Sequence, residues 1–295
     1  MSTAGPLLSE AELRRLARLR IRRRRATPTG EMGDWRTGRV GSGVLFADHR
    51  DYVPGDDLRY VDWNVYARLG DLVVKRFEAE ENLELLLCVD RSLSMDGAKS
   101  LAARRLAAAL GYLALSNMDR VRLAWLPSAT AAPVTTHRGK GRTGALFDEL
   151  AKTPVDGTTQ HARSIARVLS TCRRRMIAVV LSDFYDPENT VASLAALKSR
   201  GMDVVAVHML DGADVDLQLG SSLLAVDRET GMEVKVDVTK PFLESLRNAW
   251  HRRADTLERW CVTREVLYQR CDVAIGLWDV LAEMLGRGIA VGQSG

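Results

Sequence analysis

The chain has 295 residues, 46% of them hydrophobic and 27% charged, with a formal net charge of +4. This is the composition of an ordinary globular protein, long enough for one large domain or two small ones. No apolar stretch reaches the roughly 18 residues that a membrane span requires, and Met1-Ser2-Thr3-Ala4-Gly5 leads into charged residues, not an apolar signal core, so the expected location is cytoplasmic.

Ser9 followed by Glu12 forms a capping box that opens a helix running toward Arg25. Arg14, Arg15, Arg18, Arg20 and Arg22 to Arg25 make this segment strongly basic. It reads as a solvated helix end packed by Leu13, Leu16 and Leu19, as a contact for an acidic partner protein, or as a contact for nucleic acid or an anionic membrane surface. The run holds no aromatic residue to stack on bases, which weighs against single-stranded nucleic acid. Ala26-Thr27-Pro28-Thr29-Gly30 breaks the helix, and Gly38 to Phe77 shows little helical period, so a small β-rich extension is expected there.

From Leu83 onward strands and helices alternate. Leu85 to Val89 is an all-apolar strand ending in Asp90, and Ala98 to Leu115 is a helix. Strands are expected at Arg120 to Leu126, at Thr130 to Thr136 on a sheet edge because of Pro133, at Met176 to Leu181 and at Val204 to Met209. Helices are expected at Ala145 to Lys152, Ala162 to Ser170, and Thr190 to Arg200, the last capped by Gly201. Leu223 to Val226 and Val234 to Val238 read as a hairpin, followed by a helix from Pro241 to Trp260, a strand at Glu265 to Gln269 and a helix at Leu277 to Leu285. The pattern implies an α/β fold, a mostly parallel sheet with helices on both faces. Three regions follow: a basic arm at 1–30, the β-rich extension at 31–80 and the α/β domain at 81–290.

The loop after the first core strand, Asp90-Arg91-Ser92-Leu93-Ser94, sets a carboxylate and two hydroxyls at alternate positions at the carboxyl end of a strand, where open α/β sheets bind ligands. Oxygen donors of this kind favour a hard ion such as Mg²⁺ over Zn²⁺. The four cysteines, Cys88, Cys172, Cys261 and Cys271, have no metal-binding spacing and read as buried or incidental thiols.

Asp90-x-Ser92-x-Ser94 resembles the metal-ion-dependent adhesion site of von Willebrand factor A domains. Upstream, Tyr52-Val53-Pro54-Gly55-Asp56-Asp57-Leu58-Arg59-Tyr60-Val61-Asp62-Trp63 with Ala67-Arg68 resembles the signature of the bacterial domain of unknown function 58 family, which carries such a domain. The likeness runs from about Gly38 to about Leu285. It implies a von Willebrand factor A-like fold and a metal set of Asp90, Ser92, Ser94, Thr158 and Asp183 holding Mg²⁺ or Mn²⁺, with Asp96 and Thr159 in supporting positions. It further implies a partner protein that offers an Asp or Glu to the ion, and an association with a MoxR-type AAA+ ATPase in a chaperone-like system. The signature residues Asp56, Asp57, Arg59, Asp62, Trp63 and Arg68 read as an ion-pair and hydrogen-bond network fixing the extension to the main domain, or as a partner-binding surface.

Of the five histidines, His161 alone follows the Thr158 loop closely, and His208 sits in a core strand; His49, His137 and His251 have no Ser or Cys partner pattern. No phosphate-binding G-x-x-x-x-G-K-[ST] segment occurs. The expectation is a non-enzymatic, metal-dependent interaction protein. The alternatives are a Mg²⁺-dependent hydrolase with His161 or a carboxylate as base, and nucleic-acid binding through the Arg run.

Overall fold

A computed structural model describes residues 6–19, 44–79, 84–117, 120–126, 134–157, 161–172, 176–226 and 231–287 (backbone alone at 44–48, 76–79, 161, 162 and 285). In chain order the first elements are α1 (Glu10–Leu16), β1 (Val44–Asp51), α2 (Trp63–Leu69), β2 (Val73–Ala79), β3 (Glu84–Asp90), α3 (Ala98–Ser116), β4 (Arg120–Leu126), β5 (Thr135–Arg138) and α4 (Thr143–Lys152). Then follow α5 (His161–Thr171), β6 (Ile177–Ser182), α6 (Pro187–Ser199), β7 (Asp203–Leu210), β8 (Ser222–Val226), β9 (Glu233–Asp237), α7 (Lys240–Thr263), β10 (Leu267–Asp272) and α8 (Leu277–Gly286). The chain divides into two compact units, residues 1–25 with 83–295, and residues 26–82.

The larger unit is built on a six-stranded sheet of order β10-β7-β6-β3-β4-β5. All neighbours pair in parallel except β5, which runs antiparallel to β4 at the edge. The apolar runs are explained by the pleat, which sends successive side chains to opposite faces. Leu85, Leu87 and Val89 of β3 join one core cluster with α3, while Leu86 and Cys88 join a second with α5 and α6. Ile177, Val179 and Leu181 of β6 and Val205, Val207 and Met209 of β7 follow β3 into the first cluster, and Ala178, Val180, Val204 and Ala206 into the second. A central strand covered on both faces has no polar position to spare. This is the expected α/β arrangement, with helices on both faces of a mostly parallel sheet.

Helix α1 has the expected capping box: the Ser9 hydroxyl accepts from the Glu12 amide at 3.3 Å, and Glu12 Oε2 accepts from the Ser9 amide at 2.7 Å. It ends at Leu16, short of Arg25, because the chain tightens at Arg18 and Leu19 into turns closed on Arg15 and Leu16; residues 20–25 lie outside the described ones. Leu7, Leu8 and Leu16 are buried in the first core cluster, and Leu13 and Leu19 pack against it.

Several other elements differ from expectation in their bounds. Thr130 to Thr136 was expected as the edge strand; β5 is Thr135–Arg138, and residues 127–133 lie outside the described ones. Helix α6 starts at Pro187 instead of Thr190, because Asp186 caps it by accepting from the Asn189 amide at 3.1 Å. The last strand starts at Leu267 instead of Glu265, since Glu265 takes a left-handed φ of 54° that closes α7 and cannot belong to a ladder.

The smaller unit holds the antiparallel pair β1–β2, with a bulge between Phe46 and Asp48, and it also contains a helix that the β-rich expectation did not include. Helix α2 is nucleated locally. The Asp62 carboxylate accepts from the Asn64 and Val65 amides at 3.0 and 3.4 Å, and Gly70, at φ 77°, ends it in the left-handed conformation that glycine adopts without a Cβ penalty.

Candidate metal centre

Strand β3 delivers Asp90 to the carboxyl end of the sheet at 1% exposure. The Arg91 amide continues the pairing to Leu126 O at 2.5 Å, and the chain then leaves the sheet. Asp90 Oδ1 accepts from the Ser92 amide at 2.8 Å, an Asx-type turn that bends the loop back over the strand end. A single 3₁₀ turn at Leu93–Met95 follows, anchored by the fully buried Met95. It brings the Ser92 and Ser94 hydroxyls to 3.0 Å from each other. Gly97, at φ 84°, lets the chain reverse into α3.

Strand β6 supplies the second carboxylate. The Ser182 hydroxyl donates to Asp90 Oδ2 at 2.5 Å and accepts from the Phe184 amide at 2.9 Å. Phe184 is held at φ 48°, an uncommon conformation for a non-glycine residue, costing of order 1–3 kcal/mol. Its ring is buried against His208, with centroids 5.5 Å apart. This turn fixes Asp183 beside Asp90, also at 1% exposure.

The third loop is tied to the first by backbone bonds, Leu93 N to Gly157 O at 3.2 Å and Asp156 N to Arg91 O at 2.8 Å. Thr158, Thr159 and the His161 side chain lie outside the described residues. Of the predicted metal set, Asp90, Ser92, Ser94 and Asp183 come together. Asp96 is exposed at the rim of the loop.

Sequence reasoning missed a cation at this centre. Lys99, in the first turn of α3, is 4% exposed and donates to Asp183 Oδ2 at 3.1 Å and to Asp214 Oδ2 at 3.0 Å. Asp214 ends a 3₁₀ turn after β7 and also accepts from the Tyr185 hydroxyl at 3.2 Å. The Tyr185 ring lies 5.0 Å from Lys99 Nζ and 3.9 Å from the Arg253 guanidinium carbon. One signal for Lys99 was present in the sequence: a lone lysine with no acidic neighbour in the first turn of a helix opposes the helix dipole. Asp214, 115 residues away, carries no such signal.

Burial pushes the Asp183 carboxyl above its ordinary value; Lys99 opposes that and the Asp90 charge adds to it. Burial acts to lower Lys99, but Asp183, Tyr185 and Asp214 outweigh it and lift the ammonium above the usual lysine value. Asp183 Oδ1 is buried and has no hydrogen-bond partner among the described residues. An orphaned buried carboxylate oxygen is costly, and a hard cation beside the Asp90, Ser92 and Ser94 oxygens would satisfy it. The donor set thus fits Mg²⁺ or Mn²⁺. Among the described residues no group of three His, Cys, Asp or Glu that could hold a metal ion assembles.

His208 is a structural residue. Its Nδ1 lies 2.6 Å from the Tyr268 hydroxyl, and burial pushes its pKa down to about 3. The four cysteines are free and buried.

In the smaller unit, the signature carboxylates form ion pairs with neighbouring basic residues of that unit. Asp56 binds Arg50 at 2.5 Å, Asp57 binds Arg59 at 2.5 Å, and Asp62 binds His49 at 2.9 Å and Lys75 at 3.3 Å. These three carboxylates brace the unit's own loops and helix. Trp63 is 55% exposed.

The family described as Protein of unknown function DUF58 matches residues 48–258, spanning both units. The chain belongs to this family. The DUF58 match takes in the Asp56–Asp62 signature and the Asp90 and Asp183 loops alike. Uncharacterized proteins of Mycobacterium tuberculosis and Mycobacterium bovis are 30% identical to the chain over 200 residues, covering 65% of this chain and 63% of each relative. The match therefore spans less than two thirds of the length of these curated relatives. Among solved structures, the chain is similar to the conserved hypothetical protein BatB of Bacteroides thetaiotaomicron (13% identity, TM-score 0.40, 70% of this chain and 98% of that one). It is also similar to the SpRpn10 VWA domain (14% identity, TM-score 0.33, 43% and 75%) and to an uncharacterized membrane spanning protein of Vibrio fischeri (14%, 0.24, 70% and 97%). Among the described residues of this chain, no helix is long and apolar enough to cross a membrane.

Proposed function

We propose that this DUF58 protein is a cytoplasmic, metal-dependent protein-interaction module, working as an adaptor with a MoxR-type AAA+ ATPase in a chaperone-like remodelling system. The observation that carries the metal reading is Asp183 Oδ1, buried and without a hydrogen-bond partner among the described residues, beside the oxygens of Asp90, Ser92 and Ser94. Asp90, Ser92, Ser94 and Asp183, with Thr158 as the remaining expected ligand, would hold Mg²⁺ or Mn²⁺. The chemistry that such an ion supplies is attraction for an Asp or Glu side chain of the partner. The chain's own residues do the positioning. Ser182 and the Ser92 amide orient Asp90, and the Phe184 turn orients Asp183.

The reading is non-catalytic because the described residues at the centre include no positioned general base: His208 is neutral and buried, and Lys99 is engaged with two carboxylates. The test is capture from native lysate by tagged wild type and Asp90→Ala, each with Mg²⁺ and with EDTA, with circular dichroism to confirm folding. The expected result is a AAA+ ATPase retained only by wild type with Mg²⁺. Retention in all four samples would overturn the metal-dependent mechanism, and phosphoester turnover lost with EDTA and in Asp90→Ala would overturn the non-catalytic one.

A further inference from the structure

We propose that Lys99 is a resident counter-cation of this centre: its ammonium makes two buried carboxylates tolerable without a divalent ion and, by the same charge, keeps metal affinity low. The inference rests on the metal reading above and asks what it leaves open, whether the ion is a permanent structural part or an exchangeable one.

The geometry divides Asp183 between two cations. Its Oδ2 is taken by Lys99 Nζ at 3.1 Å, while Oδ1, on the same carboxylate, has no hydrogen-bond partner among the described residues. A lysine suits this division, because a compact ammonium reaches one oxygen where a guanidinium fork tends to take both. The ammonium is well fixed. Its side chain is 5% exposed, Asp214 Oδ2 holds it from a second element at 3.0 Å, and the Tyr185 ring stands 5.0 Å away.

Without any cation, Asp90 and Asp183 would be two like charges, each 1% exposed, on adjacent strands. Buried carboxylate charge is costly, and Lys99 is a cation that offsets it directly at Asp183. A divalent ion bound at Asp183 Oδ1 would sit a few ångströms from the same ammonium, and at that separation repulsion weakens binding. Lys99 therefore stabilises the metal-free centre and disfavours the metal-loaded one. An ion held in this way exchanges readily, in contrast to the ion of a structural metal site.

The test compares wild type with Lys99→Met, which keeps the length of the side chain and removes the charge. Mn²⁺ affinity is read by the electron paramagnetic resonance of free Mn²⁺, and melting is followed in EDTA and in Mg²⁺. The expected result is that Lys99→Met binds Mn²⁺ about tenfold more tightly than wild type. It should also melt below wild type in EDTA and recover most of the difference in Mg²⁺. Wild type should melt at nearly the same temperature in both.

A folded Lys99→Met that binds Mn²⁺ no more tightly than wild type, or that melts with wild type in EDTA, overturns the inference and leaves the metal site standing. Absence of Mn²⁺ binding by both proteins at millimolar ion overturns the metal reading and this inference together. Where Lys99→Met does not fold, Asp214→Asn takes its place, since that carboxylate is partly exposed, at 28%. Removing it leaves the ammonium less neutralised, so Mn²⁺ affinity should fall severalfold; unchanged or tighter binding overturns the inference.

Discussion

The Ser182 hydroxyl donates to Asp90 Oδ2 at 2.5 Å, joining the ends of the two adjacent core strands that carry the site's carboxylates. Both residues are buried, and the same hydroxyl accepts the Phe184 amide of the turn that orients Asp183. Ser182→Ala removes a bond to a buried charge and orphans an amide. It should lower stability by about 1.5–3 kcal/mol in urea unfolding and weaken Mn²⁺ binding in the same protein. Stability equal to wild type would show that Asp90 does not depend on this bond.

Asp183→Asn should behave in the opposite way toward the metal-free fold. Burial and the neighbouring Asp90 raise the Asp183 pKa, so at neutral pH the folded protein bears a charge that the unfolded chain carries more easily. For a raised carboxyl the folded state binds the proton more strongly, and stability falls as pH rises from the unfolded value through the folded one. The neutral amide therefore should not lower the melting temperature in EDTA at pH 7, and should abolish the Mn²⁺ binding that wild type shows. A clear loss of stability in EDTA would mean that the Lys99 pair outweighs burial.

In the smaller unit the sign is reversed. Asp62 is held down to about 2, first by His49 and also by Lys75 and the α2 amides, and Asp57 is held down to about 2 by Arg59. A depressed carboxyl contributes stability above its ordinary value near 3.8, lost as pH falls through the folded value. Amide exchange across Trp63–Leu69 should accelerate as pH drops between about 4 and 2, after correction for intrinsic rates, and Asp62→Ala should show the fast exchange already at pH 7.

A Cβ at Gly111 in α3 would collide with Leu146 Cδ2 of α4, a fully buried side chain. Gly111→Val should therefore destabilise by about 1–3 kcal/mol, and Leu146→Ala in the same chain should recover part of the loss. Simple additivity of the two would place the cost elsewhere.

Helix α1 is part of the fold, whatever the Arg run contacts. Leu16 is fully buried, and Arg105 ties the segment down through Leu7 O at 3.1 Å and Glu12 Oε1 at 2.6 Å. Leu16→Ala should cost about 2–5 kcal/mol. Deleting the residues before Thr27 would confound binding with unfolding. Charge reversal at Arg22 to Arg25 is the cleaner test of an anionic partner, and a native melting curve for that variant is its control.

The sequence by itself determined the α/β class, because apolar runs at Leu85 to Val89 and Met176 to Leu181 have too few polar positions for a half-exposed sheet. It also determined that Asp90, Ser92 and Ser94 stand on one loop, since their spacing is local. It carried α2 less legibly: Asp62 and Gly70 bracket a helix too short for a hydrophobic period to show, so only cap chemistry could mark it. What only the tertiary structure decided is how distant charges meet. Asp183 reaches Asp90 because β6 pairs with β3, and Asp214 reaches Lys99 across 115 residues because β7 ends at the same edge of the sheet. A lysine in a helical segment carries the same local signal whether it is solvated or buried between two carboxylates; the difference lies in strand order, which no local pattern encodes.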